Sequence, residues 1–221
     1  MPRIIFLRPA QTDHHLRGLV LGRCDPDLNE SGLAQARAVA DQLKMWPISF
    51  LGVSPLRRAV MTARCLEREL EGVSVHPVAG FQGADMGDWE NQSMETIARS
   101  DRRRYESWLK DPDFPAPGGE SIREVYARAY PDLVNLVNQT RKEETLLLVL
   151  QEVVLKALCC AVLDLDLESA QRFQLGHGAF GIFERMYEGG PYRLTAWNCS
   201  HMPRSRELVT SEMDEALFEA G

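Results

Sequence analysis

Three points of the sequence place polar side chains that suit anion binding just after short apolar runs. Arg8 follows IIFL, Arg58 lies just beyond FLGVSPL, and Gln151 follows TLLLVL. Guanidinium groups hold phosphates through several N–H donors, and a glutamine amide adds a donor and an acceptor. In α/β folds, the carboxyl ends of parallel strands meet at one edge of the sheet, where ligands bind. Arg8, at the end of the first strand, is therefore well placed to bind an anion.

The residue after Arg8 does not fit a reacting centre. Pro9 has no titratable group and no backbone N–H. Five histidines and five cysteines are scattered along the chain, without metal-ligand spacing and without a CxxC pair. The sequence therefore predicts no metal and no cofactor, and thiols that stay reduced.

Apolar periodicity indicates which elements position these residues. The heptamer TLLLVLQ is continuously apolar, which favours a central parallel strand that is covered on both faces. A proline in the third strand places that strand at an edge. We predict strands at 3–7, 50–55, 73–78 and 145–151, helices at 29–46, 56–72, 87–111, 121–141 and after 151, and a hairpin of 180–187 with 192–198. The alternation predicts an α/β protein.

The composition of the chain disfavours two classes of partner. The net charge of −7 over 221 residues disfavours nucleic acid and membrane surfaces, which attract basic faces. No apolar stretch is long enough to span a membrane, and no signal peptide is visible, so we predict a cytoplasmic protein. Residues 1–203 are expected to form a single domain, followed by an acidic tail at 204–221.

Six motifs occur in an order that resembles a known family. They are LRPAQT, GRCDPDLNESGLAQA, SPLRRAVMTA, GDWE, PGGES and LLLVLQEVVLKAL. The series is similar to the histidine phosphatase superfamily over nearly the whole chain, with the small bacterial phosphatases such as α-ribazole phosphatase most alike. The resemblance implies a phosphoglycerate mutase-like fold, a three-layer α/β/α sandwich with a mostly parallel sheet. It also implies that a variable cap segment, about 91–119, borders the substrate pocket.

The resemblance also implies a covalent mechanism that this chain does not match. In the family, a histidine after the first strand attacks phosphorus, a second histidine follows the central strand, and a glutamate acts as general acid. Two arginines hold the phosphoryl oxygens, and these are Arg8 and Arg58 here. The other positions hold Pro9, Gln151 and Gly83. We therefore predict that the chain has no catalytic residue of the family type. Loss of a covalent nucleophile slows such reactions on the order of 10⁴–10⁶-fold.

Because Gly83 stands where the family has its acidic residue, we expect the two arginines to leave excess positive charge that a phosphate would balance. Gln151 can still donate to a phosphate oxygen through its amide, and His15 is either a further phosphate-binding donor or, as we expect, an exposed loop residue.

The sequence thus predicts a pseudophosphatase rather than an enzyme. Such a protein binds phosphate or a phosphorylated small molecule without turnover, or acts as a regulatory protein with a protein partner or as a homo-oligomer. The alternative is a phosphomonoester phosphatase that uses a different nucleophile or base. His14, His15 and Glu152 are the candidates, because each follows a predicted strand end closely enough to reach the site.

Overall fold

A six-stranded mixed sheet forms the centre of the computed structural model, which describes residues 2–200. The strands are β1 (Arg3–Leu7), β2 (Ile48–Val53), β3 (Val75–Pro77), β4 (Thr145–Val149), β5 (Phe180–Arg185) and β6 (Tyr192–Cys199). Their order is β3-β2-β4-β1-β5-β6. The first four strands pair in parallel, whereas β5 runs antiparallel to β1 and β6 antiparallel to β5. The predicted α/β class, central β4, edge strand and hairpin are confirmed.

Helices cover both faces of this sheet. They are α1 (Asp13–Leu16), α2 (Glu30–Leu43), α3 (Arg57–Glu69), α4 (Met94–Ser100), α5 (Arg102–Lys110), α6 (Ile122–Gln139) and α7 (Glu152–Val162). Side chains alternate along each strand, so β4 sends Leu147 to the face packed by α2 and α3 and Leu148 to the other, where α6 and α7 pack. The three-layer sandwich predicted from the sequence is thereby confirmed.

The pairing of β1 explains which loops meet at the site. Arg8, Ser54 and Leu150 follow the carboxyl ends of β1, β2 and β4, which are neighbours in the sheet. Because β5 is antiparallel, its first residue Phe180 pairs with Leu7, the last residue of β1. The segment that precedes β5 therefore reaches the same edge as Arg8.

The continuous helix predicted over 87–111 is wrong. A 3-10 turn (Gly87–Trp89) comes first, and Gly87 and Asn91 then adopt positive φ values of 49° and 62°. Two short helices follow, α4 and α5, with Asp101 between them. Asp101 ends α4 and its carboxylate accepts a hydrogen bond from the Arg104 backbone N–H, so the same residue starts α5.

The predicted tail at 204–221 lies outside the described residues. Within residues 2–200, none of the helices has both the length and the apolar character needed to cross a bilayer.

Candidate phosphate site

Arg8 lies directly after β1, and its guanidinium makes two short contacts. Nη1 donates to the Leu175 carbonyl at 2.6 Å, and Nη2 lies 2.6 Å from Oε2 of Glu152, the first residue of α7. The other Glu152 oxygen, Oε1, lies 2.9 Å from Nζ of Lys156, one helical turn further on. Burial lowers the pKa of Arg8, and the Glu152 carboxylate opposes that shift. Arg8 thus already has a carboxylate as counter-ion.

Arg58 is more deeply buried and is held by neutral groups. Arg58 is the second residue of α3 and is only 2% exposed. Nε donates to Oε1 of Gln151 at 2.8 Å, Nη1 to the Cys24 carbonyl at 2.6 Å, and Nη2 to the Gly22 carbonyl at 3.0 Å. The nearest carboxylate, Asp25, is 4.0 Å away. Burial lowers the pKa of Arg58 to about 10, so it remains charged at neutral pH.

These contacts change the charge balance expected from the sequence. The absence of a glutamate at position 83 suggested that both arginines would lack a counter-ion, which is wrong for Arg8 because Glu152 is paired with it. The charged side chains lining the cavity are Arg8, Arg58, Lys156 and Glu152. Three cations and one carboxylate thus line the cavity, and Asp25, which does not line it, lies 4.0 Å from Arg58 and offsets part of its charge.

The three positions that the family resemblance assigns to the reacting groups, Pro9, Gly83 and Gln151, all border the same cavity. Pro9 is buried beside Arg8, and its carbonyl accepts from the Gly178 backbone N–H at 3.4 Å. Gln151 is buried, and its Nε2 donates to Ser54 Oγ at 3.4 Å while its oxygen accepts from Arg58. A Cβ on Gly83 would lie 2.5 Å from the Gly22 carbonyl oxygen, so this backbone leaves no space for an acidic side chain.

Two imidazoles stack beside Arg8. The ring centroids of His15 and His177 are 4.0 Å apart, and both residues line the cavity. Nδ1 of His15 accepts a hydrogen bond from the Thr12 backbone N–H at 3.1 Å, so the proton of the neutral ring sits on Nε2. Burial and neighbouring charges, including Arg8, lower the pKa of His15 to about 3 and that of His177 to about 4. Both rings are therefore neutral at pH 7.

The predicted site residues do not all come together. Arg8, Arg58, Gln151, His15 and Glu152 line one cavity of about 390 Å³. His14 is not among the lining residues. The expectation that His15 is an exposed loop residue is also wrong, because it lies half-buried in α1, where its ring caps the helix.

The sequence did not indicate four polar side chains of the cavity or the apolar residues of its wall. Lining the cavity together with apolar residues of α4 and α5 are Lys156, Gln171, Gln174 and His177. His177 stands between two glycines just before an apolar strand, in LGHGAF, which is the one signal that pointed to it. Its position next to Arg8 follows from the antiparallel pairing of β5 with β1.

Comparison with families and curated sequences gives consistent matches. The family model described as "Histidine phosphatase superfamily (branch 1)" matches residues 4–200. Phosphoserine phosphatase 1 of Hydrogenobacter thermophilus is 26% identical over 82% of this chain and 86% of its own length. The 2,3-bisphosphoglycerate-dependent phosphoglycerate mutase of Methylobacterium sp. is 30% identical over 80% of this chain and 89% of its own.

Solved structures share the fold. The mycobacterial glucosyl-3-phosphoglycerate phosphatase in complex with VO3 aligns with a TM-score of 0.81 at 28% identity, over 89% of this chain and 98% of that one. A mutant phosphoserine phosphatase from Entamoeba histolytica in complex with phosphoserine aligns at 0.80 and 26%, over 91% and 98%. The α-ribazole phosphatase from Shigella flexneri has the same fold, at 0.76 and 22% over 90% and 98%.

Proposed function

The chain belongs to the histidine phosphatase superfamily, branch 1, and from that premise we propose that it binds a phosphomonoester between Arg8 and Arg58. Relatives named as phosphatases and mutases, including one in complex with phosphoserine, support a phosphorylated small molecule as the ligand class. The binding proposed here does not depend on the family's covalent reaction.

The observation that carries the proposal is the net charge of the cavity. Among the side chains that line the cavity, the cations outnumber the carboxylates by three to one, and the two imidazoles add no charge at neutral pH. A phosphomonoester is close to a dianion at pH 7, since its second pKa is about 6. Arg58 meets such a ligand with a guanidinium that no carboxylate contacts closely, and the cavity shields this interaction from water.

The chemistry of the three departing positions favours binding without turnover. A proline ring cannot attack phosphorus, a glutamine amide does not titrate, and position 83 carries no side chain. Glu152 is a weak candidate for a base, because Arg8 and Lys156 outweigh its burial and lower the pKa of its carboxyl. Both of its oxygens are also engaged in ion pairs.

A second candidate is a phosphatase with a substitute nucleophile, and the comparisons favour it because the named relatives are phosphatases and mutases. His177 supports this candidate, because it is a neutral imidazole in the cavity, which is the form that attacks phosphorus. His15 supports it less, since its unprotonated nitrogen Nδ1 already accepts from the Thr12 N–H. In that step, an imidazole nitrogen bonds to phosphorus while the ester oxygen departs and takes a proton from water, and a second water then hydrolyses the phosphohistidine.

One experiment separates the two candidates. Hydrolysis of p-nitrophenyl phosphate is measured with the wild type and with Arg58→Ala, and binding of inorganic phosphate is measured by calorimetry on both. We expect phosphate binding by the wild type, no hydrolysis above the background of the variant, and weaker binding by both Arg58→Ala and Arg8→Ala, with the larger loss in Arg58→Ala. Hydrolysis that Arg58→Ala abolishes would establish the second candidate. Unchanged affinity in both arginine variants would refute the proposed site.

A further inference from the structure

We propose that the ligand is a phosphomonoester with an apolar organic group, aryl or alkyl, that carries no second anionic group. This inference rests on the proposed binding of phosphate at Arg8 and Arg58 and concerns the rest of the cavity. It follows from which side chains face the space beyond the two arginines.

Apolar side chains form one wall of the cavity beyond the two arginines. Side chains from the 19–21 loop, from Met86 and from α4 and α5 line the cavity opposite the strand ends. Leu19, Met94, Tyr105 and Leu109 are partly or largely exposed, and Trp108 is buried behind them. Partly exposed apolar side chains that line a pocket gain stabilisation when an apolar group covers them. Two of the lining residues are methionines, which adapt to aromatic and aliphatic shapes.

Among the described residues, the cavity offers no unpaired cation for a second acidic group of a ligand. Of the cavity-lining cations in the described part of the chain, Arg8 and Arg58 form the phosphate site, and Lys156 is the third. Nζ of Lys156 lies 2.9 Å from Glu152 Oε1 and donates to Gln171 Oε1 at 3.1 Å. A ligand carboxylate would have to displace those partners, and the Glu152 charge would repel it.

The basic cluster of α5 does not supply that cation. Arg102, Arg103 and Arg104 are exposed and do not line the cavity. Arg102 pairs with Glu106 and Arg104 with Asp101, both on the outer surface of the segment. The helix that carries these arginines therefore presents tyrosine, tryptophan and leucine to the cavity instead.

Calorimetry with three ligands tests the inference. Inorganic phosphate, phenyl phosphate and 3-phosphoglycerate are titrated into the full chain at pH 7.5. We expect phenyl phosphate to bind on the order of tenfold tighter than inorganic phosphate, and 3-phosphoglycerate to bind no tighter than phosphate. Equal or better binding of 3-phosphoglycerate than of phenyl phosphate would overturn the inference while leaving the phosphate site intact. Absence of binding by all three ligands would refute the proposed function itself, and this inference with it.

Placing a lysine in the apolar wall provides a second test of the ligand class. Met94 is 38% exposed at the start of α4, so Met94→Lys places an ammonium at the cavity without altering the core. We expect it to strengthen 3-phosphoglycerate binding about fivefold and to weaken phenyl phosphate binding. Met45→Lys is the matched control, because Met45 is 83% exposed and is not a lining residue. If Met94→Lys changes neither affinity relative to Met45→Lys, the apolar wall does not contact the ligand and the inference is wrong.

Discussion

The two arginines of the site lie at the same edge of the sheet but have opposite electrostatic surroundings. Arg8 contacts a carboxylate at 2.6 Å, and that carboxylate is shared with Lys156. Arg58 donates to an amide and two backbone carbonyls, and its nearest carboxylate is 4.0 Å away. Both guanidiniums are largely buried. One charge is therefore compensated within the protein and the other largely is not.

This difference indicates how an anion would use the site. Because no carboxylate lies close to Arg58, a phosphate there gains nearly the full attraction of the guanidinium. This arginine should therefore dominate the affinity for phosphate. At Arg8 the phosphate competes with Glu152, so the gain there is the difference between two ion pairs. Changes on the Arg58 side should thus have large effects on both binding and stability, and changes on the Arg8 side smaller ones.

The largest effect is expected for Arg58→Ala. The substitution removes a largely uncompensated charge and leaves two part-buried carbonyls and the buried Gln151 oxygen without this donor. We expect phosphate affinity to fall at least about 100-fold and the free energy of unfolding to fall by about 2–4 kcal/mol. Calorimetry and urea denaturation measure the two quantities. Arg57→Ala is the control, because Arg57 is exposed and pairs only at the surface with Asp27; equal losses in both variants would contradict the comparison.

A backbone test on the same side is Gly83→Ala. The added Cβ would lie 2.5 Å from the Gly22 carbonyl oxygen, which accepts from Arg58, and 2.9 Å from Leu56 Cδ1. Since backbone must shift, we expect a loss of about 1–3 kcal/mol in the free energy of unfolding and weaker phosphate binding. Gly176→Ala is the control, because its nearest contact is the end of the Asn198 side chain at 3.3 Å. A Gly83→Ala protein as stable as the wild type would show that the family's acidic position is still open.

On the Arg8 side, Glu152→Gln should strengthen phosphate binding. The amide keeps the shape of the side chain but releases Arg8 from a competing charge. The ion pair is part-exposed, so we expect an increase of about fivefold in affinity, corresponding to about 1 kcal/mol. Glu30→Gln is the matched control, since Glu30 is likewise the first residue of a helix but is exposed and away from the cavity. Weaker binding in Glu152→Gln would instead mean that Glu152 helps to position Arg8.

The last prediction concerns pH, which should change the stability of the fold rather than the charge of the site at pH 7. Burial and the nearby guanidiniums hold the pKa of His15 at about 3 and that of His177 at about 4, below the ordinary value of about 6.5. The unfolded chain then binds more protons, so the stabilising contribution of neutral rings is complete above pH 6.5 and is lost as pH falls toward 4. Thermal unfolding between pH 7 and 4.5 should show a falling Tm, and a shallower fall in His177→Asn. The same slope in both proteins would contradict these pKa values.

Some features of the site could be predicted from local sequence. Arg8 and Gln151 stand directly after continuous apolar runs, and such runs form buried strands wherever both faces are covered. Ser121 and Glu124 form a capping box, which the S-x-x-E spacing indicates because its two hydrogen bonds join residues only three positions apart. By contrast, the helix predicted over 87–111 depended on apolar spacing alone, and the positive φ values of Gly87 and Asn91 interrupt it.

The sequence by itself determined the fold class and the strand ends at which Arg8 and Gln151 stand, and the family resemblance assigned the reacting positions to Pro9, Gly83 and Gln151 as a prediction. The tertiary structure alone decided the partners of Arg8, because the Glu152 carboxylate and the Leu175 carbonyl reach it across 144 and 167 positions of the chain. A continuous apolar segment indicates where a strand ends and which polar side chain follows it. The counter-ion of that side chain depends on which strands pair and in which direction. That pairing is what leaves Arg58 with neutral partners and gives Arg8 a carboxylate.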